Sequence, residues 1–204
     1  GAPGMWTVAA RKTLLEADAV AGASRMIESV EKDLGEKAVL KAYDGKKILD
    51  WFENAPQLCK LAVLYSGDTG FYSGASGLAE TLRERQEAGK DQEIQLEIFP
   101  GISTVSYLAS RLQIPWQDLE LESLHGREAK PWEALERGKN VFLLLGGVEP
   151  VAEVSRTISE HGFGSWLVSA GKNLSYDDEE ILTDTAENMM NKKLGDGLWA
   201  VIVR

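Results

Sequence analysis

The chain has 204 residues, 44% of them apolar or aromatic, and a formal charge of −10, so it can bury a substantial core in one large domain or two small ones. The acidic balance argues against nucleic acid, whose binders normally present a basic surface, and equally against an anionic membrane surface. One cysteine, Cys59, and two well-separated histidines, His125 and His161, give neither a disulfide nor a recognisable metal spacing; with no apolar run near the roughly 20 residues of a membrane helix and no signal peptide visible, the expectation is a cytoplasmic protein without a metal site.

Thr7 is placed to cap a helix over residues 8–17, a short strand follows at 19–22, and Ser24 to cap a second helix whose Met26, Ile27, Val30 and Leu34 share one face and which Gly35 ends. A strand at 38–43 and a helix over 46–53, with Ile48, Leu49 and Phe52 turned inward, continue a strand–helix rhythm. The unalternating apolar run 61–65 reads as a buried parallel strand, and it breaks off into Ser66-Gly67-Asp68-Thr69-Gly70-Phe71-Tyr72-Ser73-Gly74. That loop is either a glycine-rich turn with an ordinary aspartate or backbone kept bare for a ligand at the carboxyl end of a strand. The next helix has Leu78 and Leu82 packed, Arg83, Glu84, Arg85 and Glu87 solvated, and its end at Gly89. A strand at 94–99 then opens onto Pro100-Gly101-Ile102-Ser103-Thr104, where Ser103 or Thr104 can cap a helix carrying Val105, Leu108 and Leu112. Two strand-to-loop junctions of this kind point to one cleft.

Beyond residue 100 the rhythm changes. Strands are expected at 119–124, 141–145, 166–169, 180–183 and 198–203, with helices only over 150–160 and 186–193, and the close spacing of the last two strands favours a mixed or antiparallel sheet. The chain therefore divides into an α/β half, 1–99, and an α+β half, 100–204. The acidic run Asp177-Asp178-Glu179-Glu180 reads as a solvated loop, and His161 beside Gly162 as a helix C-terminal cap. Trp51, Trp116 and Trp132 read as packing residues in preference to a stacking platform.

The SGDTGFYSG loop, the PGIS turn, Gly1-Ala2-Pro3-Gly4 before a helix and Ser123-Leu124-His125-Gly126-Arg127 together resemble the tetrapyrrole methylases over nearly the whole chain. SLHGR is most similar to the members that methylate C5 of precorrin-7 or its cobalt form. The resemblance implies a two-domain fold, a parallel α/β sheet followed by a mixed α+β sheet with the active-site cleft between them, and S-adenosyl-L-methionine as cofactor, released as S-adenosyl-L-homocysteine. It implies cofactor contacts from Pro3, Ser66, Gly67, Asp68, Phe71, Ser103, Thr104, Leu145, Gly146, Ala170 and Gly171. Leu145 reads equally as plain core. The implied substrate is a polycarboxylate corrin ring of cobalamin biosynthesis, the implied assembly a homodimer, and the linked C15 methylation and decarboxylation would reside on a separate protein.

Carboxylate arms are well held by arginine forks, which makes Arg25 and Arg127 the substrate anchors. His125 could bind a carboxylate, receive the proton lost on C-methylation, or serve only as a loop residue. Ala23 stands where relatives acting on earlier ring intermediates carry aspartate, so no general base is assigned. Thr69 replaces a common proline and leaves Asp68 in place. The family opens with a strand before its GxGPG turn, which this chain is expected to lack. Other readings are methylation of another tetrapyrrole or a modified protein side chain, a non-catalytic ligand-binding relative, and a nicotinamide-dependent oxidoreductase. Against the last, no G-x-G-x-x-G follows a strand with an acidic residue downstream.

Overall fold

Strand β1 (Ala19–Gly22) consists of small residues, every one buried, and it lies between β2 (Ala38–Lys41) and β3 (Leu61–Leu64) in a wholly parallel sheet of order β2-β1-β3. The structure is a computed structural model, and it describes residues 3–124, 130–146 and 150–204. The chain forms two compact units, Gly1–Ser103 and Thr104–Arg204.

In the first unit, α1 (Val8–Glu16), α2 (Ser24–Glu28) and α3 (Glu31–Leu34) supply Leu14, Met26, Ile27 and Leu34, and the turn that divides the expected single helix into α2 and α3 supplies Val30, to a core that includes Val20 of β1. Helices α4 (Gly45–Glu53) and α5 (Ala75–Glu87) supply Ile48, Leu49, Leu78 and Leu82 to a second core that includes Ala21. Neighbouring residues of β1 thus feed opposite cores, as the two-residue period of a strand requires when both faces are covered. Each fully buried aliphatic side chain contributes about 1.5–3 kcal/mol. Thr7 caps α1, its hydroxyl accepting the Ala10 N–H at 3.2 Å. Ser24 does not cap α2; it is the first helical residue, and Ala23 holds the cap position without a side-chain bond. Asp44, unremarked in the sequence, caps α4 by accepting the Lys47 N–H at 2.8 Å.

Two further expectations for this unit fail. Residues 94–99 alternate Ile94, Leu96 and Ile98 with polar neighbours, yet they form no ladder among the described residues, and Leu96 and Ile98 are exposed. Alternation encodes an extended backbone, whereas a strand also needs a partner for its N–H and C=O groups. Arg85 is not solvated. Its side chain is only 13% exposed and pairs with Asp50 and Glu53 of α4 and with Asp91 just past α5. A helical pattern shows which face an arginine lies on, not which carboxylates a neighbouring helix brings to it.

The second unit contains α6 (Thr104–Leu112), β4 (Glu120–Ser123), α7 (Pro131–Glu136), β5 (Val141–Leu144), α8 (Pro150–Ile158), β6 (Leu167–Lys172), β7 (Glu180–Thr185), α9 (Ala186–Met189) and β8 (Trp199–Val203). Its five-stranded sheet has the order β4-β5-β8-β6-β7, with β4 and β5 parallel and the remaining pairs antiparallel. The mixed sheet agrees with the sequence, but the last two strands do not pair with each other. Both pair with β6, and the uniformly buried β8 fills the centre. Helix α7, a single short amphipathic segment opened by Pro131, was not expected.

Asp18 sets the entry of β3 beside β1. Its Oδ2 accepts the N–H groups of Cys59 and Lys60 at 2.9 and 2.8 Å, while its own N–H donates to the Lys60 carbonyl at 2.9 Å. The Cys59 and then the Lys60 N–H bonds hold the Asp18 carboxyl below its ordinary range. A depressed folded-state value means that the contribution is fully present above the unfolded-state value and is lost as pH falls through the folded one. Asp18→Asn should therefore be less stable than the wild type at neutral pH, with the gap closing in acid below about pH 4. Urea denaturation across pH measures this, and a gap independent of pH contradicts it.

Candidate functional site

In the first unit, Gly22 lies in register with both Lys41 and Leu64, so the segments following β1 and β3 leave the sheet at one carboxyl edge, the usual place for a ligand in a parallel sheet. After β1 come Ala23 and the exposed Arg25 on α2. After β3 comes Tyr65, whose hydroxyl is buried without a hydrogen-bond partner among the described residues; burial, then the charge of Asp44, raises its pKa. Gly67 adopts φ 69°, a left-handed conformation that glycine takes without penalty. Asp68 then folds the turn onto itself: its Oδ1 accepts the Gly70 N–H at 2.7 Å, and its carbonyl accepts the Phe71 N–H at 3.1 Å. This is an Asx turn. Asp68 therefore shapes the loop, in addition to any ligand it meets. Phe71 and Tyr72 pack edge to face with ring centroids 4.9 Å apart.

The PGIS turn lies directly against this loop. A Cβ on Gly101 would stand 2.2 Å from the Gly67 carbonyl oxygen, and a Cβ on Gly67 would stand 3.5 Å from the Ile102 carbonyl oxygen. The two junctions read from the sequence thus meet backbone to backbone, with no side chain between them. Gly101, part of the quoted motif but not singled out as a site residue, makes that contact possible. Ser103 is half-buried and immediately precedes α6, which begins at Thr104. Pro3 opens a short 3-10 turn, Pro3–Met5.

In the second unit, Ser123, Leu144, Ala200, Gly171 and Ile181 form one row across all five strands. The ends of β4 and β5 and the Ala170–Gly171 portion of β6 consequently share one sheet edge, and the predicted positions Leu145, Gly146, Ala170 and Gly171 lie along it. Leu145 sends its side chain into the main core at 7% exposure, and its N–H donates to the Trp199 carbonyl at 3.0 Å. Only its backbone remains for a ligand. Gly146 is half-buried and Ala170 fully buried. A Cβ on Gly171 would lie 2.7 Å from Leu174 Cδ2 and 3.0 Å from Leu108 Cδ1, so helix α6 rests on bare backbone there.

The acidic run is only partly solvated. The Glu179 side chain is 13% exposed and accepts from Arg111 Nε at 2.9 Å and the Ser175 N–H at 2.7 Å. No local signal marked it, since Arg111 lies far away in the sequence. His161 approaches the Thr157 carbonyl through Nδ1 at 2.8 Å, as a C-terminal cap does, and stacks on Trp132 at 4.2 Å. Trp51 joins the α4–α5 core and Trp116 is exposed. His125 and Arg127 lie outside the described residues. Among the described residues no group of three or more potential ligands could hold a metal, and no helix is long and apolar enough to cross a membrane.

Residues 1–189 match the family model of the Tetrapyrrole (Corrin/Porphyrin) Methylases. The chain belongs to this family. This tetrapyrrole methylase, an S-adenosylmethionine-dependent methyltransferase, is 30% identical over 177 residues to the cobalt-precorrin-7 C(5)-methyltransferase of Salmonella typhimurium, covering 87% of this chain and 82% of the relative. It is 29% identical over 191 residues to the probable cobalt-precorrin-7 C(5)-methyltransferase of Methanocaldococcus jannaschii, covering 91% and 85%. Among solved structures, the methyltransferase CobJ superposes with a TM-score of 0.77 at 19% identity, covering 100% of this chain and 89% of that one. The precorrin-6Y methylase of Archaeoglobus fulgidus gives 0.69 at 20% identity, covering 100% and 93%. At these identities the structural likeness establishes the fold.

The methylase should not tolerate a methyl group at the loop contact. Gly101→Ala is expected to lower stability by about 2 kcal/mol, as overpacking does, and to weaken S-adenosylhomocysteine binding measured by calorimetry; unchanged affinity would show that the contact does not shape a cofactor surface. Asp68→Asn keeps the turn-forming oxygen and removes the charge, whereas Asp68→Ala removes both. Binding lost in both variants assigns a ligand role to the charge, and binding lost in the alanine variant alone assigns the residue to the turn.

Proposed function

We propose that this chain transfers a methyl group from S-adenosyl-L-methionine to C5 of precorrin-7 or its cobalt form, a step of cobalamin biosynthesis. The observation that carries this reading is the bare backbone where the turn after β3 meets the turn at Gly101, at the carboxyl edge of a parallel sheet. The two glycines let these turns close on each other without a side chain between them, and backbone N–H and C=O groups beside such a contact are what a nucleoside and an amino-acid tail can pair with. The two C5-methylating relatives supply the choice of acceptor.

The cofactor supplies a methyl group already activated on a sulfonium, so the carbon–sulfur bond breaks as the ring carbon forms its new carbon–carbon bond, and a proton leaves the ring. The protein is then asked for alignment and for exclusion of water more than for a strong acid or base. Pro3, Ser66, Gly67, Asp68, Phe71, Ser103, Thr104, the backbone of Leu145, Gly146, Ala170 and Gly171 are the residues this reading assigns to cofactor binding. Arg25 and Arg127 hold substrate carboxylates and overcome locally the formal charge of −10. His125 binds a carboxylate or accepts the departing proton. The enzyme acts in the cytoplasm as a homodimer, with C15 methylation and decarboxylation supplied by a separate protein.

Incubation with methyl-labelled S-adenosylmethionine and, in parallel, precorrin-7, its cobalt form and other tetrapyrroles tests this reading. Label is expected in the precorrin-7 forms alone, and Arg127→Ala should raise the substrate KM about tenfold while the cofactor KM holds, as loss of an anchoring fork does. Labelling confined to another acceptor would overturn the assignment.

A further inference from the structure

We infer that Glu179 is a positioning residue for the cofactor site, a bracket that sets helix α6 and the end of β6 at their working separation. The inference rests on the cofactor reading of Thr104, Ala170 and Gly171 given above. Thr104 opens α6, and one and two turns further along the same helix Tyr107 and Arg111 project towards Glu179. Arg111 donates through Nε at 2.9 Å, and the Tyr107 hydroxyl donates to the same carboxylate. The other carboxylate oxygen accepts the Ser175 N–H at 2.7 Å, so one side chain joins the helix to the loop that follows β6.

That loop is itself firmly built. Asn173 and Ser175 take left-handed backbone conformations, φ 45° and 71°. Asn173 exchanges backbone and side-chain hydrogen bonds with Leu198 at 2.9 Å, and its Nδ2 donates to Asp178 at 2.6 Å. The loop is thus tied to the segment entering β8, and Glu179 ties the helix to the loop. Between the two ties, Leu108 of α6 bears on Gly171, where a Cβ would come within 3.0 Å of its Cδ1. Leu108 limits how close the helix can come, and Glu179 limits how far it can withdraw. Burial would raise the Glu179 pKa, but the Ser175 N–H, the Tyr107 hydroxyl and Arg111 outweigh it and lower the value, so the carboxylate is charged wherever the protein is folded near neutrality. Arg111 and Tyr107 face it from α6, and Ser175 faces it from its own loop.

Calorimetric titration with S-adenosylhomocysteine, at a temperature where circular dichroism shows each variant fully folded, is the test. Glu179→Ala should weaken binding about tenfold and Tyr107→Phe about threefold, since small displacements of binding groups cost this much. Glu179→Gln, which keeps the shape and the acceptor for Ser175, should recover most of the loss, and Asp177→Ala in the same loop should bind as the wild type does. Wild-type affinity in Glu179→Ala and Tyr107→Phe, even with a lowered melting point, overturns the positioning role and reduces the bracket to stability alone. Should Glu179→Ala not fold, Tyr107→Phe decides. A wild type that does not bind S-adenosylhomocysteine overturns the cofactor reading itself, and this inference falls with it.

Discussion

The contact between Gly67 and Gly101 constrains everything around it in the first unit. A carbonyl oxygen occupies the space that any side chain at residue 101 would need, and Gly67 holds a left-handed conformation in making the contact. Neither position admits an ordinary residue without moving the backbone. The consequence is a join beyond the carboxyl edge of the parallel sheet in which backbone meets backbone, with no side chain between. Asp18 serves that join from the far end of the sheet, because it fixes where β3 enters beside β1 and hence where the loop after β3 emerges.

The second unit reaches a comparable result by register. Leu144 and Gly171 stand opposite the same residue of β8, so segments distant in the chain arrive at one edge of one sheet. Buried hydroxyls on this sheet are paired: Ser169, fully buried, accepts from Thr183 at 2.9 Å directly across the ladder. The edge itself carries small and apolar positions such as Gly146 and Ala170.

Much of this was legible in the sequence because it was written locally. The apolar run before Ser66, the glycines after it and the small polar residues around Ser103 each carry their meaning within a few positions, and the strands β1, β3, β5 and β8 follow from short buried runs. What was not legible depends on partners far along the chain. Arg85 looked solvated because α4, which brings Asp50 and Glu53, is separated from it by a strand and a loop. Glu179 looked like part of a solvated acidic run because Arg111 and Tyr107 belong to a helix on the far side of three strands in sequence. Residues 94–99 looked like a strand because alternation says nothing about whether a neighbour is there to pair. The meeting of Gly67 with Gly101 lies between these cases: both turns were visible, and only coordinates bring them into contact.

A crystal structure of the protein grown with S-adenosyl-L-homocysteine tests the central claim most directly. The account predicts nucleoside density resting on the backbone of Gly67, Asp68 and Gly101, within hydrogen-bonding distance of their N–H or C=O groups. Ligand density elsewhere on the molecule, with that backbone facing only solvent, would contradict it.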